Sequence, residues 1–230
     1  MNRSVLVVSG LTKEARIASG PGTLAIAGGG SKHALEQRLS EIDPRQLGAV
    51  ISFGIAGALD PSLKVGDLIL AECVLDGADR LPASADLRDG WARHLRESGA
   101  AFHEMPIAGV DVPLLLPADK AALRASSRAG AVDMESHVAA AFAARHGLPF
   151  GAIRIVSDRA DHVLPPAAGT AMRPDGSIDV FGVVRSLARD PGQIPALIAT
   201  GRDAAVAFRA LGRVRGLLRL SGGLLGLDLR

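Results

Sequence analysis

Asp158 closes an apolar run, Phe150 to Val156, and sits in a polar one, Ser157-Asp-Arg-Ala-Asp161, so it is placed to project from a strand end into a cleft. A carboxyl there suits proton transfer. At the ordinary aspartate pKa near ~3.9, holding the proton at pH 7 costs about 4 kcal/mol, against about 3 to 5 kcal/mol that general acid catalysis contributes, so burial must raise that pKa. The alternative is structural: Ser157 or Asp158 caps a following helical turn. Glu135, one residue after Met134, opens an Ala-rich helical stretch. Ionised, it has acceptors on both oxygens and can hold two neighbouring sugar hydroxyls, or it only answers the positive end of the helix. Gly28-Gly-Gly-Ser-Lys32 lies between a strand and a helix, where backbone N–H groups can cradle an anion, or where a tight turn needs positive φ. Two more segments, Ser9-Gly-Leu-Thr-Lys-Glu-Ala-Arg16 and Ser52-Phe-Gly-Ile-Ala-Gly-Ala58, end strands, and open α/β sheets bind ligands at such ends.

Other chemistries are disfavoured by composition and spacing. The dinucleotide fingerprint needs glycine where His33 stands, and no Gly-Lys-Ser/Thr follows the spacer of a P-loop. The six histidines contain no His-x-x-x-His pair, Cys73 is the lone cysteine, and no metal site is expected. Neither Ser9-Gly10 nor Ser157 sits in a Gly-x-Ser-x-Gly elbow. With six Phe, one Trp and no Tyr, the chain lacks the aromatics of a nucleic-acid surface. No run is long and apolar enough for a membrane crossing, and Met1 to Gly10 reads as a first strand rather than a signal peptide. The expected compartment is the reducing cytoplasm.

These residues need a scaffold, and 230 residues, 48% hydrophobic and 22% charged, suit one compact domain. Val5–Val8, Thr23–Ala27, Ala49–Phe53 and Asp67–Ala71 read as strands, mostly continuous in apolarity and hence covered on both faces. Ser31–Ile42, Asp86–Ser98, Pro117–Ser126 and Ser136–His146 carry helical spacing, with Pro44 and Gly147-Leu-Pro149 as stops. His162–Ser177 has three Pro and two Gly and is expected to be a loop, with a lid as one reading. The net charge of +2 divides into +4 from Gly201 onward and −2 for the rest. A boundary is therefore drawn between 1–200 and a basic Leu/Arg/Gly-rich segment, 201–230, either part of the same domain or a surface helix.

Three of the segments, in their order, resemble the nucleoside phosphorylase and nucleosidase superfamily, which holds purine and uridine phosphorylases and methylthioadenosine/adenosylhomocysteine nucleosidase. Ser52-Phe-Gly-Ile-Ala-Gly-Ala-Leu59 with Val65-Gly-Asp67 resembles its glycine-rich strand end, Ala131-Val-Asp-Met-Glu135 its ribose-binding segment, and Ile153-Arg-Ile-Val-Ser-Asp158 the strand that ends in its catalytic Asp. The likeness covers about Val5 to Asp161. It implies a three-layer α/β/α fold around a mixed, partly barrel-like sheet, and cleavage of the N-glycosidic bond of a purine nucleoside. Asp158 would protonate the leaving base, and Met134 and Glu135 would hold the ribose. Gly54, Ile55, Ala56, Gly57, Pro113, Leu114, Asp133 and Ser157 would line the pocket. No cofactor is implied beyond inorganic phosphate as co-substrate, and a homo-oligomer is expected.

Departures from the family pattern refine this. The hydrolytic branch has a water-activating Glu near the first strand, and the alignment places Ala15 there rather than Glu14; with Arg16 beside Gly10, this favours an anion such as phosphate, held by Gly10, Arg16 and Gly29. Ile55 replaces a polar residue, and Val112-Pro-Leu114 replaces a base-stacking aromatic. These features and the basic tail resemble the hopanoid-associated phosphorylases, which implies a bulky apolar 5′ substituent, adenosylhopane-like, with adenine released. Phe208, Leu211, Val214 and Leu218 fall near one helical face, compatible with a peripheral helix at the inner membrane surface or with packing on the domain or another subunit. Hydrolysis by a 5′-modified adenosine nucleosidase and non-catalytic nucleoside binding are the alternatives.

Overall fold

The computed structural model describes residues 3–169, 173, 175–177 and 179–218. Alternation along β1 (Ser4–Ser9) sets the layers. Val5 and Val7 enter one apolar cluster, with Ile51, Phe53, Leu87, Trp91, Leu211 and Val214. Leu6 and Val8 enter another, with Leu35, Leu39, Val138, Phe142 and Ala143. The sheet is thus sandwiched. Helices α1 (Thr12–Ala18), α3 (Ala85–Glu97) and α8 (Ile194–Leu218) lend buried residues to the first cluster. Helices α2 (Lys32–Ser40) and α5 (Ser136–Arg145) lend theirs to the second.

The strands β2 (Thr23–Ala27), β1, β3 (Leu47–Ala58), β7 (Ala131–Asp133), β6 (His103–Gly109), β4 (Leu68–Asp76) and β5 (Asp79–Pro82) lie side by side in that order. The strand β8 (Phe150–Asp158) pairs with both β3 and β4 and so closes β3, β7, β6, β4 and β8 into a ring. This is the expected three-layer architecture with a mixed, partly barrel-like sheet. Parallel pairs β1–β3, β3–β8 and β4–β6 occur beside antiparallel β3–β7 and β4–β8.

The expected β3 grows from Ala49–Phe53 to Leu47–Ala58 because β1, β8 and β7 take up its edges in turn. Three strands fell outside the sequence reading for lack of a continuous apolar run: β5, β6 and the three-residue β7. The Ser9–Arg16 segment, expected to end a strand, enters α1 (Thr12–Ala18) instead of staying a loop. Within the expected loop, α6 (Pro166–Gly169) forms a short turn, and the Gly176 carbonyl accepts the Thr12 N–H at 2.9 Å. Residues 170–172 and 174, part of the expected lid, lie outside the described residues. Helix α7 (Val180–Arg189) precedes α8.

Of the readings of the tail, packing on the domain is the one observed. Leu211, Val214 and Leu218 are buried in the core and Phe208 packs against it, so the stripe is spent on the sheet instead of on a lipid surface. Gly212 and Gly216 do not interrupt α8. Arg219, Gly222-Gly223 and Arg230 lie outside the described residues. Among the described residues, no helix is long and apolar enough to cross a membrane.

Candidate active site

A buried polar cluster forms where β1 and β7 end against the middles of β3 and β8. Arg154 of β8 is fully buried, and its guanidinium pairs with Asp133 and receives company from two hydroxyls, Ser52 Oγ at 2.5 Å and Ser136 Oγ at 3.0 Å. Asp133 also accepts the Ser136 hydroxyl and the N–H groups of Glu135 and Ser136. Its carboxylate is therefore occupied within the protein, and it organises the turn into α5 instead of lining a pocket.

Glu14, next to the Ala15 that the sequence comparison placed at the water-activating position, points into this cluster. Helix α1 buries Glu14 and Ala15 but exposes Arg16, because two residues turn the helix by about 200°. The Glu14 carboxylate accepts N–H groups from Gly10 at 2.8 Å and Leu11 at 2.7 Å on one oxygen and from Ile55 at 2.7 Å on the other. Burial pushes its pKa up, while Arg154 and these three N–H groups pull it back. The signal in the chain was faint: Glu14 is the third residue of α1 and reaches back to the N–H of Leu11 at the cap, but leucine has no acceptor to return the bond, so only half of a capping box is present.

This arrangement removes the expected phosphate site. Arg16 is exposed on the far side of α1, the Gly10 N–H is given to Glu14, and the Gly29 N–H is given to the Gly10 carbonyl at 2.9 Å. Gly29 and Gly30 adopt φ of +68° and +64°, so the glycine run is a tight turn. The turn has another use. A side chain on Gly10 would come within 2.9 Å of Glu135 Oε1, and one on Gly28 within 3.2 Å of Glu135 Cγ, so the glycines make room for that carboxyl.

Glu135, at the N-cap of α5, is 5% exposed, and its Oε1 has no hydrogen-bond partner among the described residues. Its pKa is pushed up to about 8 by burial first, with Asp133 and Glu14 adding repulsion and Arg154 and the Gly30 N–H opposing. Burial leads because a carboxylate out of water loses its hydration, and one Arg154 cation shared among three buried carboxyls offsets only part of that loss. Met134 beside it is half-buried.

Asp158 lies farther along the same strand pair. The register of β8 on β3 shifts between Val156, opposite Ala56, and Asp158, opposite Gly57. Such a bulge re-aims the side chain, and Asp158 Oδ2 would come within 3.1 Å of a side chain on Gly57. Arg154 is opposite Gly54, so the two stations are three residues apart on β3, about 10 Å. Asp158 caps no helix; Oδ2 pairs with the ammonium of Lys120 on α4 (Pro117–Ser127), and Oδ1 meets the Ser157 hydroxyl at 2.8 Å. Sequence reasoning missed Lys120, whose only signal is a cation in the first turns of a helix, where the dipole disfavours it.

Of the remaining expected lining residues, Ile55 supplies its N–H to Glu14 and Ala56 its carbonyl to Ser157. Gly54 leaves space for Arg154 and Glu14. Leu114 packs on the cluster of Leu59 and Val132, and Pro113 is exposed. Among the described residues, no group of three or more His, Cys, Asp and Glu could hold a metal ion.

The sequence profile of the phosphorylase superfamily matches residues 31–171, more than half of the chain. The chain belongs to the phosphorylase superfamily. Solved structures share the fold of this superfamily member. The Helicobacter pylori methylthioadenosine nucleosidase mutant with 5′-methylthioadenosine in its active site superposes with a TM-score of 0.64 at 16% identity, covering 94% of this chain and 99% of that one. The 5′-methylthioadenosine/S-adenosylhomocysteine nucleosidase of Colwellia psychrerythraea, in complex with adenine, gives 0.64 at 19% identity over 98% of each chain. Futalosine hydrolase of Helicobacter pylori gives 0.60 at 18% identity over 69% of this chain and 88% of that one. No curated protein matches in sequence.

Proposed function

We propose that this superfamily member cleaves the N-glycosidic bond of a purine nucleoside and that water is the nucleophile. The observation that carries the reading is the convergence of Glu14 and Glu135 on Gly10, where phosphate had been expected. A buried carboxylate there would repel an anion, but it can take a proton from water, and a raised pKa makes it a better base near neutral pH. Glu135, with an unpartnered oxygen, hydrogen-bonds the ribose hydroxyls. As the C1′–N bond breaks, its electron pair moves onto the base, Asp158 gives a proton to a ring nitrogen, water oxygen bonds to C1′, and Glu14 keeps the proton that water loses. The oxocarbenium-like transition state needs leaving-group protonation more than a strong nucleophile.

The solved relatives that hold 5′-methylthioadenosine and adenine support an adenine nucleoside substituted at 5′. A bulky apolar substituent, adenosylhopane-like, fits the exposed apolar rim of Val112, Leu116 and Val163, whose segments are joined by the Leu164 N–H on the Leu115 carbonyl at 2.9 Å.

The test is adenine release from a 5′-alkylthioadenosine with and without phosphate. Equal rates are expected. A strict phosphate requirement would return phosphorolysis to first place. Failure of the wild type to release adenine, with binding retained, would leave a nucleoside-binding protein. Asp158→Asn is expected to keep binding and lose turnover.

A further inference from the structure

Lys120 is 1% exposed, and its ammonium meets three acceptors: Asp158 Oδ2 at 2.5 Å, the Arg159 carbonyl at 2.9 Å and the His162 carbonyl at 3.4 Å. All three belong to the end of β8 and the loop after it. Three donors on three acceptors leave Lys120 nothing with which to bind a ligand, so whatever it does for chemistry passes through Asp158. The three bonds tie α4 to the end of β8, which an apolar contact could also do. A buried ammonium near a helix N-terminus is disfavoured by desolvation and by the dipole, and buried ion pairs can often be replaced by apolar residues without loss of stability. The other charged side chains of this loop are engaged elsewhere, with Arg159 paired to Asp161 at 2.6 Å.

The hydrogen bonds also choose between the two oxygens of Asp158. Oδ2 faces a cation and cannot carry the transferable proton. Oδ1 faces Ser157 Oγ, which is also 3.1 Å from the Ala56 carbonyl. A hydroxyl has one hydrogen. When Ser157 donates it to Ala56, the Ser157 oxygen is free to accept from a protonated Oδ1.

Building on the reading of Asp158 as leaving-group acid, we propose that Lys120 is its positioning residue. It locks Oδ2, presents Oδ1 as the proton-bearing oxygen, and meets the negative charge left on Asp158 when the proton passes to the ring nitrogen of the departing base. A cation already in place at the site of charge development needs no reorganisation during the reaction.

A pair of substrates isolates this role: a 5′-alkylthioadenosine and the same 5′-substituted riboside carrying 4-nitrophenol in place of adenine. Nitrophenolate leaves without a proton. Lys120→Met is expected to lower kcat on the adenosine by about 100-fold with KM little changed, and on the nitrophenyl riboside by less than about threefold. Lys120→Arg keeps the charge in a different geometry and shows the same selectivity with a smaller loss, which preserves the test if the Met variant does not fold. Asp158→Asn provides the reference pattern. Equal losses on both substrates, or none on the adenosine, overturn the assignment of Lys120 while leaving the nucleosidase reading intact. A wild-type protein that releases neither adenine nor nitrophenol overturns that reading and the assignment with it.

Discussion

Glu14 and Glu135 both bring their carboxyls to Gly10. The first accepts the Gly10 N–H at 2.8 Å, and the second would stand 2.9 Å from a side chain at that position. Both acids are tied electrostatically to Arg154.

Glu14→Gln tests both the chemistry and the hydrogen bonding. Glutamine has one acceptor oxygen, so its amide N–H₂ must face either the Ile55 N–H or those of Gly10 and Leu11. Denaturant melts should show a loss of about 1 to 3 kcal/mol from the unsatisfied donors. Loss of the base should lower adenine release by about 10²- to 10⁴-fold.

Stability should fall as pH rises through the titration of Glu135. Its carboxyl is raised from 4.5 to about 8, so the native state holds a proton that the unfolded chain has given up. That contribution is complete below the unfolded value and is lost as pH passes the folded one. The urea midpoint should drop between about pH 4.5 and about pH 8, and Glu135→Gln should flatten the drop.

Gly54→Ala should disable the site with little local freedom to compensate. Its methyl group would sit 2.6 Å from Glu14 Oε1 and closer still to Arg154, both buried among fixed partners. Steady-state assays are expected to show kcat reduced at least about tenfold, since small displacements of reacting groups are costly in rate.

Arg16→Ala should be silent. The side chain is exposed on the face of α1 opposite Glu14, and an exposed substitution changes stability by about 0.5 kcal/mol or less. Adenine release should stay within about twofold of the wild type, with no altered response to phosphate. A large, phosphate-dependent loss would restore Arg16 as an anion ligand.

Local pattern in the chain determined the strands β1, β2 and β8, the helices α2 to α5, and the three motif segments. Apolar continuity, capping residues and glycine–proline stops are properties of neighbours in sequence. Tertiary structure alone decided which way α1 faces, and so exchanged Arg16 for Glu14. It also closed the ring through β8, buried the α8 stripe, spent the Gly10 and Gly29 N–H groups on internal bonds, and set Lys120 against Asp158. Each of these depends on groups distant in sequence that meet only after the sheet has formed. A pKa, a free N–H or a buried cation is set by what surrounds it in space, and a linear chain carries no record of that until it folds.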